Sequence, residues 1–203
     1  MRFIKVYIIG LLALCGAIRL KAQQVNDSIF LQSTLQSFQL IDPVGQKPAR
    51  LNSAGAGSQL LLFVFISPEC PLCQAYSPFL NALSLEYQQT VQTIGIIPGR
   101  SYTNADVKAF IKKYKTGFPL LVDKKKQLTN YLQASITPEV VLLNDQFELI
   151  YRGAVDNSVK QLGGLKNLHP TEKYLEDAIN KYIQHGSIAL KRVKAVGCRI
   201  NDF

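Results

Sequence analysis

The chain has 203 residues, with 47% hydrophobic and 18% charged residues and a formal charge of +9. That composition supports a single packed domain and excludes wholesale disorder, while 13 Gly and 9 Pro are too few for a collagen-like or low-complexity chain. Four Cys, at 15, 70, 73 and 198, are too sparse for a scaffold built on disulfides.

The first 22 residues read as a secretory signal peptide. Arg2 and Lys5 give a basic start, Val6 to Ala17 is almost wholly apolar, and Ala22 precedes the polar Gln23-Gln24. The apolar run is shorter than the roughly 20 residues that span a bilayer. Cleavage is expected after Ala22, which makes the chain exported, with a periplasmic location implied. A retained anchor is the less favoured reading. Lipidation at Cys15 is disfavoured by the bulky Leu14 before it. Removing residues 1–22 takes away Arg2, Lys5, Arg19 and Lys21 and no acid, which lowers +9 to +5. Residues 23–33 read as a loose polar leader, 34–186 as the folded domain and 187–203 as a basic tail.

Within the domain, alternation around Phe38 and Leu40, then Asp42-Pro43-Val44-Gly45, predicts an N-terminal β-hairpin. Asn52 to Ser58 is Gly/Ala/Ser-rich and predicts a loop. Leu60 to Ile66 is a continuous apolar run, as in a strand buried on both faces. A helix follows Cys73, with Tyr76, Phe79, Leu80, Leu83 and Tyr87 near 3.6 periodicity. Val91–Ile97 predicts a second buried strand and Asn104–Lys115 an amphipathic helix. Phe118–Val122 predicts a short strand and Lys124–Gln133 a short basic-faced helix. Val140–Leu143 and Leu149–Arg152 predict a hairpin, Gly163-Gly164 a loop, and Thr171–His185 a final amphipathic helix. Strands alternating with helices argue an α/β fold, a mixed sheet covered on both faces.

Chemistry concentrates at Cys70-Pro71-Leu72-Cys73. A zinc half-site would need two more ligands at close spacing, and Cys198, His169 and His185 do not supply them. A purely structural disulfide would close a tiny loop for little entropic gain. A redox dithiol fits best. The pair lies where a buried strand turns into a helix, so Cys70 meets unpaired N–H groups and the positive end of the helix dipole. Both favour its thiolate. Cys73, one turn later, is placed to resolve a mixed disulfide, and Pro71 suits the first helical turn. No metal and no cofactor is called for.

The segment Phe63 to Cys73, with Thr137-Pro138 opening a later strand, resembles the thioredoxin superfamily and within it the exported TlpA/ResA-like redoxins. The resemblance implies a thioredoxin-like fold, a central mixed sheet flanked by helices with an N-terminal hairpin and an inserted β/α segment. It implies thiol:disulfide oxidoreductase activity toward protein partners, with Cys70 and Cys73 catalytic and electrons drawn from a membrane donor. It also implies that Pro138 is cis and faces the dithiol, and that Thr137 and Pro138, with Pro71 and Leu72, shape the substrate groove. Two departures stand out. Glu69 replaces the usual aromatic residue, and its carboxylate is expected to raise the Cys70 pKa. Val64 replaces the usual buried acid; Glu139 is a candidate substitute, although a solvated Glu is the expectation.

Three rivals are weaker. Ser67-x-x-Cys70 is similar to peroxiredoxins, but Phe63 stands where that family has Pro, and Arg100 and Arg152 lie in no recognisable motif. Copper delivery would need a wider Cys spacing and a ligand His. A non-catalytic binding module would not need both cysteines. Cys198 is read as inert, with a third redox thiol or an intermolecular link as alternatives. The scattered basic residues read as solvated faces, with attraction to an anionic membrane surface as the sharper alternative. No nucleic-acid motif is visible.

Overall fold

The computed structural model describes residues 33–49, 51, 59–158, 170–186 and 191–200. Residues 1–32, and with them the expected signal peptide, lie outside the described residues, as does the Gly163-Gly164 loop. The strands are β1 (Leu40–Asp42), β2 (Lys47–Ala49), β3 (Leu60–Phe65), β4 (Val91–Pro98), β5 (Leu120–Asp123), β6 (Ile136–Thr137), β7 (Glu139–Asn144), β8 (Leu149–Gly153), β9 (Lys191–Val193) and β10 (Cys198–Arg199). The helices with defined bounds are α1 (Pro71–Glu86), α2 (Asn104–Tyr114), α3 (Gln127–Tyr131) and α4 (Tyr174–His185).

Eight strands form one mixed sheet in the order β2-β1-β5-β4-β3-β7-β8-β9, and β10 pairs with β6 in a second, two-stranded sheet. The parallel centre, β3–β4–β5, is joined through helical crossovers, while β7 runs antiparallel to β3. All six residues of β3 are buried. Leu60, Leu62 and Val64 face the core that holds α1, α2 and α4. Leu61, Phe63 and Phe65 face the core beneath α3 and the N-terminal segment. Each such side chain contributes about 1.5–3 kcal/mol of hydrophobic stabilisation, which is why an unbroken apolar run is stable here. The sheet is covered on both faces, as expected.

Several boundaries differ from the sequence reading. Pro119 has no N–H for the ladder, so β5 begins at Leu120. The helix expected at Lys124–Gln133 shrinks to Gln127–Tyr131, because Lys126 is left-handed at φ 52°. The buried Asp123 caps it instead, accepting from the amides of Gln127 (2.9 Å) and Thr129 (2.8 Å) and from the Thr129 hydroxyl (2.8 Å). α4 begins at Tyr174 because the Asn157 side-chain Oδ1 accepts from the amides of Thr171 and Glu172 and holds them in a turn.

The largest difference lies at 187–203. The expected basic tail contains two strands. β9 pairs parallel with β8, from Tyr151↔Lys191 to Gly153↔Val193. Gly153 permits this contact: its φ is +131°, and a Cβ there would meet the Val193 carbonyl oxygen at 1.6 Å. Residues 194–197 then cross to β6, where β10 pairs antiparallel, Cys198↔Thr137 and Arg199↔Ile136.

Candidate active site

The dithiol sits at the junction of β3 and α1. Cys70 is the N-cap of α1, with φ −70° and ψ 117°, and Pro71 follows at the first helical position. The Cys70 amide donates to the Ser67 carbonyl at 3.1 Å, which closes the turn after β3. The Gln74 amide returns to the Cys70 carbonyl at 3.0 Å, the first bond of the helix. Missing an N–H, Pro71 loses nothing there. Cys73 lies one turn on, and its sulfur accepts from the Ser67 amide at 3.4 Å. Pro71 is exposed and Leu72 half-buried beside the two sulfurs.

The second wall comes from β6 and β7. The Thr137–Pro138 peptide is cis, as the resemblance implied. Thr137 and Pro138 are buried, and the Cys70 sulfur lies 3.2 Å from the Thr137 carbonyl oxygen. The expected site residues Cys70, Pro71, Leu72, Cys73, Thr137 and Pro138 therefore converge on one locus. Glu139 is not solvated as expected: it is only 7% exposed. Its carboxylate accepts from the amides of Ser135 (2.9 Å) and Ile136 (3.4 Å), which pins the loop before the proline.

The third wall is β10, which brings Cys198 into the site. Cys198 packs against the cluster that holds Cys70 and Cys73 and is among the groups that favour the Cys70 thiolate, so three thiols share one site. Its strand approaches β6 so closely that a Cβ at Gly197 would meet the Thr137 carbonyl oxygen at 2.1 Å. The Ile200 amide donates to the Ser135 carbonyl at 3.0 Å, and the Thr137 hydroxyl donates to the Cys198 carbonyl at 3.4 Å.

The electrostatics are asymmetric. The Cys73 thiol, donating to Cys70, is the largest cause that lowers the Cys70 pKa to about 4. Burial opposes it, and the Cys198 thiol and the amides of Cys73 and Cys198 add to it. Burial, then the Cys70 sulfur, pushes the Cys73 thiol far up, and the same two causes push Cys198 up to about 11. Cys70 is thus the thiolate and its two neighbours are held as thiols. The expected effect of Glu69 is absent: its side chain is exposed and is not among the groups that shift Cys70. Val64 is buried and apolar beneath the pair. A second buried acid, Asp156, lines a small cavity with Pro138 and Tyr76 and accepts from the Tyr76 hydroxyl and from the Ser158 amide at 2.8 Å. Arg152 donates to Gln133, and Arg100 lines a groove with Lys124, so neither is placed as a peroxiredoxin arginine beside Cys70.

Comparison with known proteins agrees with this geometry. A thiol-disulfide oxidoreductase, ResA, of Bacillus cereus is 24% identical over 162 residues, 77% of this chain and 91% of that protein. A hypothetical protein from Sinorhizobium meliloti 1021 superposes with a TM-score of 0.66 at 24% identity, over 80% of this chain and 89% of that one. A secreted Mycobacterium tuberculosis disulfide oxidoreductase, homologous to Escherichia coli DsbE, superposes with a TM-score of 0.50 at 18% identity, over 75% and 97%. The β/α order, the paired thiols at a helix N-cap and the cis-proline facing them define a thioredoxin-like protein of the thiol–disulfide oxidoreductase class. Residues 31–157 match the AhpC/TSA family, and the chain belongs to that family. α4, β9 and β10 lie beyond the matched span.

Proposed function

We propose that this chain is an exported thiol:disulfide oxidoreductase that exchanges disulfides with protein partners through Cys70 and Cys73. The observation that carries it is the Cys70 sulfur at the N-cap of α1, hydrogen-bonded by the Cys73 thiol and facing the Thr137 carbonyl. The Cys70 thiolate attacks a partner disulfide, forming a Cys70–partner bond and releasing the partner's other sulfur as a thiolate. Cys73 then attacks Cys70, forming the Cys70–Cys73 disulfide and releasing the partner's second sulfur, with the Cys73 proton transferred to it. Pro71, Leu72, Thr137 and Pro138 shape the groove that receives the partner. Export rests on the signal-peptide pattern of residues 1–22. A membrane electron donor is part of the same reading. Among the described residues no helix is long and apolar enough to cross a membrane.

The test is a trap. Cys73→Ala combined with Cys198→Ser removes both thiols that touch Cys70. Incubated with disulfide-bearing exported proteins, the double variant should hold a mixed disulfide through Cys70 that dithiothreitol releases. If no adduct forms and Cys70 resists alkylation at neutral pH, the oxidoreductase reading fails. Rapid peroxide consumption, with sulfenic acid at Cys70 and no protein adduct, would replace it with a peroxidase.

A further inference from the structure

Cys198 occupies a position that a passive tail cysteine would not. β10 lies along β6, the backbone edge that carries Thr137, whose carbonyl already contacts the Cys70 sulfur. That edge is where an extended polypeptide would have to lie to bring a sulfur to Cys70. The chain fills it with its own strand and places a cysteine at the register position opposite Thr137. The fit is specific, because only a residue without Cβ clears the Thr137 carbonyl at position 197. The pairing extends past the cysteine, since the Ile200 amide reaches the Ser135 carbonyl at 3.0 Å. Cys198 is half-exposed and packs against the core cluster that holds Cys70 and Cys73.

We propose that Cys198 is a third redox thiol, held by β10 as an internal substrate, that exchanges with Cys73 for the disulfide to Cys70. This rests on Cys70 being the nucleophile of the proposed dithiol. The step needs no outside oxidant once Cys70 carries a disulfide. Starting from Cys70–Cys73, the Cys198 sulfur bonds to Cys70 Sγ, the Cys70–Cys73 bond breaks, and the proton lost by Cys198 ends on Cys73. One disulfide is exchanged for another and no net electrons move. Starting from a Cys70–partner mixed disulfide, the same attack releases the partner's thiol. Cys198 stands opposite Thr137, whose carbonyl oxygen is 3.2 Å from the Cys70 sulfur, so the attack needs no rearrangement of the fold. Once Cys70 is in a disulfide it carries no charge, and one of the two causes that hold Cys198 as a thiol disappears. In the Cys70–Cys198 state the tail is covalently fixed over the Thr137 edge, and a partner strand cannot reach Cys70. That state stores the oxidised enzyme in a closed form.

The test uses full-length Cys73→Ala and Cys73→Ala/Cys198→Ser with oxidised glutathione as the probe, read by non-reducing peptide mass mapping. The double variant should accumulate Cys70 joined to glutathione. Cys73→Ala should show at least tenfold less of that adduct and, in its place, a peptide pair linked through Cys70 and Cys198. Equal accumulation of the glutathione adduct in the two variants overturns the role of Cys198 while leaving Cys70 as the nucleophile. Absence of any adduct in the double variant overturns the nucleophile itself, and the inference with it.

Discussion

Gly197→Ala should free β10 from the active site without unfolding the protein. The added Cβ would lie 2.1 Å from the Thr137 carbonyl oxygen and 2.8 Å from its carbon. An ordinary carbon–oxygen contact is about 3.3 Å, so the strand must back away by about 1.2 Å. The bonds at stake span 3.0 Å, from the Ile200 amide to Ser135, and 3.4 Å, from the Thr137 hydroxyl to Cys198. Lengthened by that amount, neither survives. At about 1 kcal/mol each, these bonds and those of the short β6–β10 ladder favour the docked strand too weakly to force the overlap. Released from burial and from the Cys70 sulfur, the Cys198 thiol returns from about 11 toward its ordinary value of 9.0. At neutral pH that raises its thiolate fraction about 100-fold. Iodoacetamide labelling of Cys198 in the reduced protein, followed by peptide mass spectrometry, should accelerate by about that factor. The eight-stranded sheet does not include Gly197, so the melting temperature should change little. Unchanged labelling of Cys198 would refute the close-approach argument.

Four other outcomes are expected. Alkylation of Cys70 in the reduced protein should titrate with a midpoint near 4. Because that value lies below the unfolded thiol's, the stability Cys70 contributes over Cys70→Ala is full above about pH 9. It should fade as pH falls toward 4, measurable as a shrinking difference in melting temperature. The same stabilised thiolate favours the reduced pair, so the Cys70/Cys73 couple should lie above the roughly −270 mV of thioredoxin, measured against glutathione buffers; a lower value would favour a reductant. Asp123→Ala should cost about 3 kcal/mol in urea unfolding, because three donors lose a buried carboxylate.

The central elements were legible because long-range packing and local pattern agree there. Leu60–Phe65 is apolar at every position because both faces of β3 are covered, and α1 and α2 show the period their single buried stripe imposes. The dithiol was legible for the same reason, since its strand-to-helix junction is local. β6, β9 and β10 were not legible. They are two or three residues long, carry no period, and exist only through pairing with strands far away in sequence. Cys198 stands beside Cys70 across 128 positions, in a basic stretch whose composition suggests a tail. Glu139 misled in another way: an acid in a strand start is ordinarily solvated, and only the two amides it holds explain its burial. Glu69 is exposed beside Cys70 in sequence, and adjacency alone does not aim its carboxylate at the neighbouring sulfur.

The crossing from β9 to β10 has a kinetic consequence. β9 is clamped to β8 through three register pairs, so β10 can undock while the chain just before it stays in place. Four residues, 194–197, then form the whole leash, with Ala195 buried along it. A leash this short keeps the Cys198 thiol at an effective concentration of about millimolar or above near Cys70. That concentration is a property of the chain and is the same however dilute the protein becomes. A free thiol at micromolar level is outcompeted by it, and an incoming protein gains access to Cys70 only by supplying binding energy of its own.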